Sequence, residues 1–101
     1  MKFLFILPAL ALAFSAQAAT PEEAMNKAGC MACHAKDKKM IGPSFKDIAA
    51  KYKGQDVTAK LMEKVRKGGS GNFGPIPMAP NGPDKINDAD LTAAIAFILK
   101  S

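Results

Sequence analysis

The segment Cys30-Met31-Ala32-Cys33-His34 concentrates the residue types that do chemistry. Positions i, i+3 and i+4 of a helical turn share a face, so two thiols and an imidazole can be presented together. This C-x-x-C-H pattern is that of covalent haem attachment, with each thiol bonding one vinyl group and the imidazole lying beneath the iron. His34 is the sole histidine of the chain, so any protein imidazole on an iron is this one. Three rival chemistries fit less well. A thioredoxin-like redox pair expects a βαβ setting, and no strand alternation accompanies the motif. A structural zinc site takes four ligands, whereas two Cys and one His supply three. A plain disulfide suits an oxidising compartment, but across so short a loop it stabilises a fold little.

A haem iron has a second axial position, and a methionine thioether there raises the potential. Beyond the N-terminal segment the candidates are Met25, Met31, Met40, Met62 and Met78. Met25 and Met62 fall on helical faces and Met31 inside the motif, positions where methionine packs. Met40 follows His34 by six residues, an awkward span for reaching the opposite haem face. Met78 lies 44 residues downstream in Gly74-Pro75-Ile76-Pro77-Met78-Ala79-Pro80, and is the expected sixth ligand. Across residues 68–83, nine of sixteen are Gly or Pro, which predicts a segment crossed by neither helix nor strand. An irregular loop of that length in a small domain is usually functional.

The elements that must position these groups read as helices. Thr20-Pro21-Glu22-Glu23 has the form of a capping box with Pro at the first helical position, and the helix should stop near Gly29. Ser44 can cap a second helix carrying Phe45, Ile48, Ala49 and Tyr52 on one face. Asp56 is the expected cap of a third, with Leu61, Met62 and Val65 inward and Gly68-Gly69 as its stop. A last helix runs from about Asp88 to Lys100, with Leu91, Ala94, Ile95 and Ile98 inward. No internal repeat and no second domain is visible.

The chain has 101 residues, of which 1–18 read as a cleaved secretory signal: Lys2, an apolar run from Phe3 to Phe14, then Ala16-Gln17-Ala18. That apolar run of about 12 residues is short of the ~20 a spanning helix needs, so no membrane span is expected in the mature form. Residues 19–101 then form one small domain of a size that usually needs a staple or cofactor. Net charge is +5, with lysines scattered over the chain. One Arg, one Tyr and no Trp, without a basic stripe interleaved with aromatics, argue against nucleic-acid binding.

Taken with Lys39-Met40-Ile41-Gly42-Pro43 and Gly74-Pro75-Ile76-Pro77-Met78, the attachment motif resembles that of the short bacterial class I cytochromes c, the small donors associated with cytochrome cd-type nitrite reductases. The likeness extends over essentially the whole of residues 19–101. It implies an all-α fold of about four helices around one covalently bound haem c, with His34 and Met78 on the iron. It further implies that Pro43 accepts a hydrogen bond from the haem histidine, that the Asn81 amide reaches the methionine sulfur, and that Lys64 pairs with a haem propionate. Two departures stand out: Phe73 and Phe97 occupy positions where the family often has Trp, and Phe cannot donate a hydrogen bond to a propionate.

The function implied is a periplasmic, monomeric electron carrier rather than an enzyme. A membrane cytochrome complex would be its donor, and a nitrite reductase, terminal oxidase or cytochrome c peroxidase its acceptor. The competing function is a peroxidase or small-ligand-binding haem protein, which needs an open iron site. His34 and Arg66 are single in the chain, so no further His or Arg is available to cleave a peroxide.

Overall fold

The structure is a computed structural model and describes residues 19–101; the expected signal segment lies outside them. Helix α1 spans Pro21–Ala28, α2 Phe45–Lys51, α3 Thr58–Lys67 and α4 Asp88–Leu99. A 3-10 turn, Cys30–Ala32, follows α1 closely. Two short strands, β1 (Gly69–Gly71) and β2 (Gly74–Met78), lie between α3 and α4.

Local chemistry sets most helix starts. Thr20 Oγ1 accepts from the Glu23 N–H at 3.2 Å, Ser44 Oγ from Asp47 at 3.1 Å and Asn87 Oδ1 from Asp90 at 2.8 Å. Each satisfies one of the orphan N–H groups of a first turn. Helix α3 departs from expectation. Its cap is Val57, with no side-chain hydrogen bond, and not Asp56. Starting one residue later keeps Leu61, Val65 and the buried Val57 directed inward, so packing outweighs a local cap here. Gly29 ends α1 at φ +88°, a left-handed conformation that costs a glycine nothing, and turns the chain into the cysteine motif.

The second departure is the hairpin. Residues 69–78, expected to hold no strand, pair antiparallel with Gly69 opposite Met78 and Gly71 opposite Gly74. Glycines at positive φ (Gly69, Gly71, Gly74) let the chain reverse around Asn72 and Phe73. Pro75 and Pro77 fall between the paired positions of a two-stranded sheet, where each strand is an edge and a missing N–H is tolerated. The fold thus remains mainly helical, with one small ribbon.

The buried core joins Ala24 and Met25 of α1, Phe45 of α2, Ile86, and Leu91, Ala94 and Ile95 of α4. Helix α3 has no fully buried residue. Leu61, Met62 and Val65 of α3 pack against the core only in part, and Leu61 and Val65 border a cavity. Among the described residues no helix is long and apolar enough to cross a membrane.

Candidate functional site

The inward stripes of the helices converge on one cavity of about 430 Å³. Met25 and Ala28 of α1, Phe45, Ile48 and Tyr52 about α2, Leu61 and Val65 of α3, and Leu91, Ala94, Ile95 and Ile98 of α4 all line it. These are the i, i+3, i+4, i+7 positions that the sequence directs inward.

Cys30, Cys33 and His34 enter the same wall. They do so from a tight turn and not from an α-helix: the Cys33 and His34 N–H groups both return to Cys30 O, at 3.2 and 3.0 Å. Both thiols are free and half-buried. Burial pushes the Cys30 thiol up, against an opposing backbone hydrogen bond, and the neighbouring Cys33 adds to the rise.

The loop after the motif folds back over it. Gly42 N–H donates to Cys33 O at 2.8 Å, and Phe45 N–H to Ala35 O at 2.9 Å. His34 Nδ1 lies 2.7 Å from Pro43 O. A carbonyl only accepts, so Nδ1 must carry the hydrogen, and Nε2 keeps its lone pair free for a metal. The ring also stacks on Phe45, with centroids 5.7 Å apart.

Met78, at the end of β2, lines the cavity, and so do Pro43, Lys64 and Asn81. Among the described residues, Met25 is the one other methionine that reaches it, as a 2% exposed core residue of α1. Met31 and Met62 pack against the core, Met62 with its sulfur 3.6 Å from Thr92 Oγ1, and Met40 is exposed. The Asn81 amide donates one hydrogen to Ala79 O at 3.0 Å, which leaves its second N–H available.

Three contacts were not legible in the sequence. Lys85 joins Lys64 in the cavity lining, and no carboxylate is among the described lining residues, so the cavity suits a ligand that is apolar with an anionic part. Lys51 donates to Asn72 O and sits over the Phe73 ring at 4.5 Å, tying α2 to the hairpin. Arg66 spans from α3 to the chain after Met78 and to the start of α4. Its being the sole arginine is the one signal that could have drawn attention to it. Phe73, 40% exposed, meets Tyr52 edge-on and offers no polar hydrogen, and Phe97 is partly buried against the core.

Two thiols, a tautomer-fixed imidazole, a thioether and two cations around an apolar cavity form a donor set that fits a covalently held, iron-centred porphyrin. Comparison with known proteins agrees. The cytochrome c family model matches residues 18–101. Cytochrome c2 of Rubrivivax gelatinosus is 52% identical over 84 residues, covering 82% of this chain and 99% of that protein. Cytochrome c-551 of Azotobacter vinelandii is 52% identical over 81 residues, 79% of this chain and 95% of the relative. The crystal structure of Nitrosomonas europaea cytochrome c552 superposes with a TM-score of 0.70 at 41% identity, covering 78% of this chain and 96% of that one. The class 1 cytochrome MtoD of Sideroxydans lithotrophicus gives the same TM-score at 27% identity, covering 80% and 91%. The chain belongs to the class I monohaem cytochromes c, electron carriers that bind one covalently attached c-type haem.

Proposed function

We propose that this protein is a periplasmic one-electron shuttle whose haem is bonded to Cys30 and Cys33 and ligated by His34 and Met78. When bound, the haem iron supplies reversible one-electron chemistry between its ferric and ferrous states. The observation that carries the reading is that Cys30, Cys33, His34 and Met78 all line one apolar cavity.

Each residue has a definable task. Pro43 O holds His34 in the tautomer that presents Nε2. Met78 would give the iron a soft neutral sulfur ligand and so deny it to oxygen, peroxide or nitrite. Asn81, whose amide bonds Ala79 O and keeps one N–H uncommitted, would donate to that sulfur, and Lys64 would pair with a propionate. The apolar helix faces exclude water. Ile41, Phe73 and Ile76 both line the cavity and are 40–57% exposed, so the cavity opens through an apolar rim. That rim, within a cationic surface, suits brief docking to an acidic redox partner through a small, salt-sensitive contact. Residues 1–18 would be removed on export, leaving 19–101 as a monomer. Nitrite reductase, a terminal oxidase and cytochrome c peroxidase are the acceptor classes the reading admits, with a membrane cytochrome complex as donor.

The test is an absorption spectrum of the ferric and dithionite-reduced protein matured with haem-attachment machinery. The reading expects a c-type reduced spectrum and a weak far-red ferric band that Met78→Ala abolishes. A spectrum without that band, shifting on addition of cyanide or carbon monoxide, would instead mark a ligand-binding haem protein.

A further inference from the structure

We propose that Arg66 is the positioning residue of the Met78 segment: its guanidinium fastens the chain just beyond Met78 to α3 and α4 and so keeps the thioether seated. The inference rests on the reading of Met78 as an iron ligand.

Four contacts carry it. Arg66 Nη1 donates to Asn81 O at 3.2 Å and to Ile86 O at 2.7 Å, while Nη2 meets Asp88 Oδ1 at 2.6 Å. One residue earlier on α3, Val65 O accepts the Asn81 N–H at 2.8 Å. Both backbone groups of Asn81 are therefore held by consecutive residues of one helical turn. At the end of that turn, a Cβ at Gly68 would collide with Met78 O, so the Met78 carbonyl rests directly on the α3 terminus.

The Arg66 side chain is 19% exposed, and its Asp88 partner 79%. The exposed end of the ion pair contributes little. The shielded Nη1 contacts to two carbonyls are charge-assisted and stronger. Only a planar fork reaches all three partners at once; a lysine ammonium is a point charge on one stem. Strand β2 is exposed up to Met78, which pairs with Gly69 and rests against Gly68, so the chain beyond Met78 is tied to α3 through Asn81.

The test follows imidazole binding to the ferric holoprotein, because imidazole takes the iron only when the Met78 segment lifts. Arg66→Met should raise imidazole affinity, and the limiting rate at saturating imidazole, by about tenfold, the scale of one lost charge-assisted hydrogen bond. Arg66→Lys should fall between, and it carries the test if Arg66→Met does not fold. Thr20→Ala, which removes a helix cap on α1, should lower the melting temperature and leave imidazole affinity unchanged. If both Arg66 variants bind imidazole as the parent does, or if Thr20→Ala raises affinity as much as they do, the positioning role is wrong. Met78→Ala separates the two readings. Retention of the far-red band in that variant removes the ligand assignment itself, whereas its loss with unaltered Arg66 variants removes only the clamp.

Discussion

Gly42 lies flat against the ring of His34: a Cβ at position 42 would stand 2.7 Å from His34 Cε1 and 3.0 Å from Nδ1. No real Cβ tolerates that approach, and the ring is already fixed by Pro43 and Phe45. Gly42→Ala should therefore shift the imidazole and lengthen its bond to Pro43 O, at an overpacking cost of about 1–3 kcal/mol. Denaturant melts of the holoprotein measure the cost, and its reduction potential should rise, because a weaker Nδ1–H bond to the Pro43 carbonyl leaves the imidazole a less basic ligand. An unchanged potential and midpoint would show that the loop yields instead.

Lys51 predicts a smaller effect. Its ammonium sits over Phe73 and donates to the Asn72 carbonyl at the hairpin turn. Lys51→Met keeps the aliphatic stem and should cost about 0.5–1 kcal/mol, the scale of an exposed cation–π contact. Lys51→Arg should recover most of it. Equal midpoints for parent and Lys51→Met would assign the contact no weight.

Met25 separates packing from ligation. It is 2% exposed, and it lines the cavity as Met78 does. Met25→Ala should lower stability by about 2–5 kcal/mol, and Met25→Leu by less than about 1.5. Neither should abolish the far-red ferric band. Loss of that band in Met25→Leu would transfer the ligand role from Met78.

The Cys30 thiol gives a pH prediction for the haem-free chain. Burial raises its pKa, so a smaller fraction is thiolate at mildly alkaline pH than for a free cysteine. Alkylation by iodoacetamide should be slower than for a free thiol, and its rate should climb at higher pH. In Cys33→Ala the lag should shrink but persist, since burial outweighs the repulsion from Cys33. Alkylation at the free-thiol rate would mean that the cysteine turn opens when haem is absent.

The helices, and the turn that brings Cys30, Cys33 and His34 together, were legible because their signals are local. A capping Ser44, a stop at Gly29 and stripes such as Phe45, Ile48 and Tyr52 act within one or two turns. The hairpin was hidden because its Gly and Pro residues read as breakers, while the ladder depends only on which backbone groups face each other. Asp56 failed as a cap because the register of α3 is decided by its apolar face. Arg66, Lys51 and Lys85 act across 15 or more positions of chain, as with Arg66 and Ile86 twenty apart, and no spacing in a single sequence records such pairings.

The buried residues are unevenly distributed: α1 and α4 hold five of them against each other, whereas α3, β1 and β2 hold none. Amide hydrogens in α1 and α4 should then exchange with solvent only when the whole molecule opens, and those of the ribbon through small local openings. Two tiers of protection would follow, with the slow tier holding α1 against α4 and the fast tier containing Met78. Such a molecule can loosen locally at the ribbon that carries Met78 and close again, while α1 and α4 stay docked throughout.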